Sequence, residues 1–368
     1  MLRVGIVFGG RSGEHDVSRC SAASVLQNLD ASKYQAVAIG IDHDGKWYPD
    51  DSPVVTSDDV FGSVLNIKKT GNWFFNVYPD NGRLNFFEKE SGKTISVDMV
   101  FPVIHGTYCE DGKFQGILES AGVPYVGANV IGSAIGMDKD VAKRLLDHAG
   151  IPVVPWFTVH KSSWDKTSEF TTQEIKMSFG FPCFVKPANA GSSVGIYKVK
   201  NSVELSEKVL KAFEFDTKVL IEKAIDCREI EFAVLGNDDP RCSVAGEIVP
   251  NHEYYSYEAK YVDKNGAMLN IPADLESEYS DNMRQCAMEA YQILCLKGMC
   301  RIDFFIDKQT DKFYLNEVNT LPGFTSVSMY PKLWDYDGVA YSQLLDYLID
   351  LALQIYAEKQ TIRFEHDD

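Results

Sequence analysis

An apolar, β-branched run at residues 3–8, RVGIVF, ends at Gly9-Gly10. A helical, Ala-rich pattern over about 18–29 and a second apolar run at 34–41 follow. Strand, helix, strand in that order commits the opening of the chain to a βαβ unit and a parallel sheet, with ligand near the strand ends. Glu14, His15, Asp16 and Ser18 stand between the glycines and the helix. A further apolar strand, 97–104, delivers His105-Gly106 and then Glu110-Asp111-Gly112.

The rest of the chain alternates helices and strands, which makes the fold class α/β (α+β). A length of 368 residues predicts two or three domains. Asp138 caps a helix over 139–148 that Gly150 and Pro152 stop, so the first boundary falls near residue 130. A second falls near 215–220, giving units 1–130, 131–218 and 219–368. Residues 251–271 form a long polar loop, and such a loop inside a compact protein is more often a functional lid than idle chain.

Net charge −17 argues against a nucleic-acid binder or a protein docked on an anionic membrane, both of which need clustered Lys and Arg. It leaves a nucleotide substrate open, because a few lysines in a cleft decide that locally. The eight cysteines hold no CxxC pair, the closest being Cys295 and Cys300, so a zinc or redox motif is not expected. Reduced thiols, no signal-peptide pattern and no apolar stretch near ~20 residues point to a soluble, cytoplasmic protein.

Two constellations carry chemistry. Gly191-Ser192-Ser193-Val194-Gly195 joins two strands just after Lys186. Small residues let backbone N–H groups approach an anion, and a phosphate would partner a lysine at the end of a buried strand. An ordinary hairpin turn with a snorkelling lysine fits the loop equally well, and it is not a Walker A sequence. The second is Asp303 in RIDFF with Glu317 and Asn319 in LNEVN. Glu317 and Asn319 are two apart and share one strand face. Three oxygen side chains on paired strands suit Mg²⁺, against the plainer alternative of solvent-facing alternation on an edge hairpin. Glu222 and Lys223 end a third strand, with Glu229 and Glu231 close behind. Nucleobase contacts and surface charge both fit these, and spacing alone decides nothing.

These pieces occur in the order found in ATP-grasp enzymes. Longer strings narrow the resemblance to the D-alanine–D-alanine ligase family: GGRSGEHDVSRCSA, HGTYCEDGKFQG, VKPANAGSSVG, YSYEAKY and NEVNTLPGFTSVS, running from residue 4 to about 330. The resemblance implies an ATP-grasp fold behind an N-terminal Rossmann-like pre-ATP-grasp domain. It implies ATP and two Mg²⁺ (or Mn²⁺), D-alanine as substrate, a place in peptidoglycan precursor synthesis, and a homodimer.

By the same resemblance, Lys139, Lys186 and Ser193 would contact ATP phosphates. Glu222, Lys223, the backbone at Ala224 and Ile225, and Glu229 would hold adenine and ribose. Asp303, Glu317 and Asn319 would bind the cations. Glu14 would receive the first D-alanine's ammonium, with His105 nearby. Arg301 and the Gly323 N–H would stabilise the tetrahedral oxyanion. Ser328 would hold the second carboxylate, with Lys260 near the γ-phosphate. Glu14, Ser192 and Tyr261 match the family's hydrogen-bonded triad that locks the lid. A tyrosine at 261 implies the dipeptide-forming type, whereas phenylalanine would imply D-lactate as the second substrate. Cys109 stands where the family signature has glycine: cysteine would pay strain if that position needs a left-handed backbone, or else it marks a local change in loop shape. A dehydrogenase is disfavoured because VFGGRSG lacks GxGxxG. A non-catalytic nucleotide-binding regulator would have no need of Arg301. Another carboxylate–amine ligase is the nearer rival, and Glu14 with YEAKY separates it.

Overall fold

The structure is a computed structural model that describes residues 1–58, 62–250 and 267–363. The expected opening is there. Leu2–Gly9 runs parallel to Tyr34–Ile41 on one side and to Met99–Pro102 on the other, and Trp47–Asp50 closes the edge. All three parallel strands therefore release their chain at one edge, which gathers residues 10–14 and 103–112 there. The crossover helix begins at His15 rather than near 18. Polar Glu14-His15-Asp16 hides this first turn from a hydrophobic pattern, but His15 is buried, with Nδ1 2.8 Å from the Gly10 carbonyl and its ring stacked on His43.

The middle sheet is antiparallel, in the order Trp156–His160, Lys218–Lys223, Cys183–Pro187, Tyr197–Val199. Helices Trp164–Ser178 and Ser202–Ala212 bury Trp164, Ile175, Leu205 and Val209 against Val185 and Ile221. The C-terminal sheet is ordered Ala267–Asn270, Gly246–Pro250, Cys227–Gly236, Gly298–Asp307, Phe313–Asn319. Its central strand carries the unbroken apolar run Phe232-Ala233-Val234-Leu235. Phe232 and Val234 pack with helix Ser277–Ile293, while Ala233 and Leu235 join a core with Tyr330, Leu344 and Leu348. A strand covered on both faces has no need to alternate, which explains the run. That second core also contains Val4, Ile6, Phe8 and Phe101 of the first sheet. Among the described residues no helix is long and apolar enough to cross a membrane.

Helix Lys139–His148 is capped by the Asp138 side chain on the Val141 N–H, as its sequence predicts. Asp140 staples this helix to the middle sheet. It is 1% exposed, accepts from Thr158 Oγ1 at 2.5 Å and Trp156 Nε1 at 3.3 Å, and pairs with Arg144 and Lys218. Burial alone would raise its pKa, but Arg144, Thr158 and Trp156 overcome this and hold it at about 2. A depressed folded-state pKa stabilises above the unfolded value and is lost as pH falls through the folded one. Asp140→Asn should therefore lower unfolding stability by about 2 kcal/mol at pH 7. The wild-type/variant difference should shrink between pH 4 and 2, as followed by urea denaturation. A constant difference across that window would contradict the assignment.

Candidate active site

A cleft lies where the three sheets meet. Glu14, His105, Ser192, Arg301, Asn319 and Gly323 line it, although they come from five separate stretches of chain. The Gly-Ser loop reaches the N-terminal sheet through a hydrogen bond from Ser192 Oγ to Glu14 Oε1. Ser192 and Ser193 have φ of 49° and 60°. Non-glycine residues held left-handed cost about 1 kcal/mol each, so surrounding structure must impose this shape. Gly106 has φ 79°, which favours glycine, and a Cβ there would also push on Glu14 Oε2 at 2.6 Å.

His105 lines the cleft, but both ring nitrogens are engaged. Nδ1 is 3.1 Å from the Leu321 carbonyl, which requires N–H there, and Nε2 is 3.1 Å from Ser21 Oγ. Burial lowers its pKa and keeps the ring neutral. It ties strand end, helix and the 321–324 loop together, so any substrate contact falls to the ring face rather than to a nitrogen.

Cys109 avoids the expected strain. The left-handed non-glycine residue in that turn is Tyr108, at φ 72°. Cys109 is buried and its carbonyl accepts from Gln115 Nε2 at 2.9 Å.

The lysines are not waiting alone for phosphate. Lys186 Nζ lies 2.5 Å from Glu222 Oε2, and Lys143 Nζ lies 3.1 Å from Glu222 Oε1. Burial alone would raise the Glu222 pKa; the two lysines reverse that and bring it down to about 2. Burial lowers the Lys143 pKa, whereas for Lys186 the attraction of Glu222 outweighs burial and raises it. Lys186 thus has a carboxylate partner within the chain, and the surface-charge alternative for Glu222 does not hold, since Glu222 is buried. Lys139 Nζ donates to the Ala190 carbonyl at 2.7 Å and stands 3.7 Å from Glu317 Oε2, bridging the Gly-Ser loop to the carboxylate cluster. Ser193, Lys223, Ile225 and Glu229 are half-buried. The Ala224 N–H is taken by the Pro182 carbonyl at 3.3 Å, so it does not present a donor to a nucleobase.

Strands Gly298–Asp307 and Phe313–Asn319 pair so that Asp303 faces Glu317 and Arg301 faces Asn319. Asn319 Nδ2 donates to Asp303 Oδ2 at 2.9 Å. Arg301 grips Asp303 with Nε and Nη2 at 2.8 and 2.7 Å, and its Nε also lies 3.0 Å from Glu231 Oε2. Burial works against this charge, yet Asp303 and Glu231 hold the guanidinium well above its usual pKa. Among the described residues no group of three His, Cys, Asp or Glu side chains is arranged for a metal. The donor set here is two carboxylates and an amide. That fits Mg²⁺, which takes few protein oxygens and completes its shell with water and phosphate.

At the far end, a Cβ on Gly323 would stand 2.8 Å from Ser328 Oγ. Ser328 is the N-cap of helix Met329–Tyr336, and its hydroxyl also accepts from the Thr325 N–H at 3.0 Å. Backbone donors and a hydroxyl at a helix N-terminus suit a carboxylate. Lys260 and Tyr261 lie outside the described residues.

Sequence reasoning left two site groups, Lys143 and Glu110, without a role and one, Glu231, undecided. Lys143 sits four residues after Lys139, one helical turn along the same face, which was the available signal. Glu231 stands opposite Asp303 in the ladder and pairs with Arg301. Glu110 lines the cleft, where burial and the charge of Glu14 hold its carboxyl well above the usual range.

Comparison with known proteins places the chain in a family. Family models described as D-ala D-ala ligase N-terminus and C-terminus match residues 3–128 and 145–350. A D-alanine–D-alanine ligase from Caldicellulosiruptor bescii is 45% identical over 368 residues, covering 100% of this chain and 99% of its own. D-alanine–D-alanine ligase A from Salmonella typhimurium is 43% identical, covering 98% of each chain. Among solved structures, the D-alanine-D-alanine ligase from Coxiella burnetii has TM-score 0.79 at 34% identity, over 98% of this chain and 96% of that one. A D-Ala:D-Ser ligase from Enterococcus faecalis has TM-score 0.77 at 34% identity, over 95% and 99%. The expected α/β ATP-grasp fold is borne out, and the chain belongs to the D-alanine–D-alanine ligase family.

Proposed function

We propose that this cleft uses ATP to join two D-alanines into D-alanyl-D-alanine for peptidoglycan precursor synthesis. The observation that carries it is the convergence of Glu14–Ser192, Lys139–Glu317, Arg301 and Gly323–Ser328 on one cleft. Full-length relatives named for this reaction support the same reading.

Glu14 receives the ammonium of the first D-alanine and orients its carboxylate toward the γ-phosphorus. One carboxylate oxygen attacks, ADP leaves, and an acyl phosphate forms. Lys139 and Lys186 hold the phosphates, with Ser193 and the loop amides around them. Glu222, Lys223, Glu229 and the backbone near Ala224 and Ile225 frame adenine and ribose. Given the paired Ala224 N–H, the contact there falls to its carbonyl or to Ile225. Asp303, Glu317 and Asn319 hold two Mg²⁺ (or Mn²⁺), which offset charge on the transferring phosphoryl group. Ser328 fixes the second D-alanine's carboxylate so that its neutral amine faces the acyl carbon. Arg301 and the Gly323 N–H meet the oxyanion as the amine adds, and phosphate leaves. By the family resemblance, Lys260 would serve the γ-phosphate, and Tyr261 favours D-alanine over D-lactate as second substrate. A homodimer in the cytoplasm, and units bounded near 130 and 218, follow from the family resemblance and the chain pattern alone.

The acyl-phosphate route makes a mass-spectrometric prediction. With D-alanine labelled by ¹⁸O in its carboxylate, one labelled oxygen should appear in inorganic phosphate for each dipeptide formed. Unlabelled phosphate would exclude the route.

A further inference from the structure

Arg301 is held by two carboxylates at once. Asp303, two residues along its own strand, takes Nε and Nη2. Glu231, on the neighbouring antiparallel strand and directly opposite Asp303 in register, lies 3.0 Å from Nε. Its side chain is only 6% exposed, so this is an interior contact with little solvent screening. The two carboxylates do not have equal futures. On the reading above, on which this inference rests, Asp303 must turn to a divalent cation. A cation and a guanidinium repel, and both would draw on the same two Asp303 oxygens, which Arg301 and Asn319 already engage. A guanidinium only 18% exposed that loses its one carboxylate keeps a desolvation penalty without a compensating partner, so an arginine held by Asp303 alone would resist cation entry. A second carboxylate outside the cation cluster removes that conflict.

We propose that Glu231 is a positioning residue for Arg301, keeping the guanidinium anchored in the cleft when Asp303 turns to the divalent cation. Glu231 thereby separates the oxyanion-facing charge from the metal-binding charge. It acts through Arg301 and touches neither substrate nor cation.

The test is Mn²⁺ binding to the full chain with a non-hydrolysable ATP analogue, followed by the loss of the free-Mn²⁺ electron paramagnetic resonance signal. Glu231→Gln should weaken Mn²⁺ binding about tenfold, because Arg301 then stays on Asp303. In an Arg301→Met background the same substitution should change binding less than about twofold, since its intermediary is gone. An equal weakening in both backgrounds would mean that Glu231 acts on the cation directly, and no weakening in either would mean it has no part; both overturn the proposal. If thermal melts show that Arg301→Met does not fold, Arg301→Lys replaces it. Lysine keeps the charge but cannot hold Asp303 with a two-pronged grip, so the Glu231→Gln effect should fall below about threefold. An undiminished effect there again overturns the idea. Asp303→Asn in the same assay tests the underlying metal assignment separately: unchanged Mn²⁺ binding would remove Asp303 as a ligand whatever Glu231 does.

Discussion

Arg301→Met should lower kcat for dipeptide formation by about a thousandfold, with a much smaller change in the KM for ATP. Removing one preorganised oxyanion donor from a dry site costs roughly 10²–10³ in kcat, and a full guanidinium belongs at the upper end. The structure supplies the preorganisation. Glu231 holds the guanidinium from the neighbouring strand, also when Asp303 turns to the cation, and the Gly323 loop lines the same cleft. Because the transition state alone carries the oxyanion, the loss should appear in kcat rather than in nucleotide binding. Steady-state kinetics with both substrates varied checks this. A variant whose only defect is a raised KM for ATP would place Arg301 on the nucleotide instead.

Glu317→Ala should reduce turnover by at least about a thousandfold while leaving the fold intact, since a cation that offsets phosphoryl charge contributes several kcal/mol. The separation of the two effects follows from position. Glu317 has a side chain 29% exposed at the end of an edge strand and pairs with Lys139 at 3.7 Å, so its removal should leave the sheet folded. Its neighbours Leu315 and Val318 stay buried in the sheet core. Circular dichroism melting would report the fold and ADP release the turnover. Activity like the wild type would rule out the assigned cation site, and an unfolded variant would make Glu317 structural.

Much of this was legible in the chain. RVGIVF before Gly9-Gly10, the helix over 139–148 with its Asp138 cap, and strand 313–319 are local patterns, and each element formed where its residues pointed. The paired placement of Asp303 and Glu317 needed only two adjacent strands of period two. Other parts were hidden because long-range partners decide them. Nothing local says that Glu222 will be 2% exposed between Lys143 and Lys186, since those lysines arrive from other elements 79 and 36 residues away in sequence. The engaged nitrogens of His105 depend on Ser21 and Leu321 in the same way. Helices Val130–Met137 and Met329–Tyr336 escaped a pattern search because each is only eight residues long and lies among glycines, prolines and polar loops. The strain assigned to Cys109 fell one residue earlier, on Tyr108, because the turn's left-handed position cannot be located by matching a glycine alone.

The most direct measurement is D-amino-acid-dependent ADP release by the full chain, with ATP and Mg²⁺ near neutral pH and products identified by mass spectrometry. With D-alanine, ADP should form together with one D-alanyl-D-alanine per ATP consumed. L-alanine should give no ADP above background, and D-lactate added to D-alanine should yield little depsipeptide. No ADP release with D-alanine, or release without dipeptide, would contradict the account.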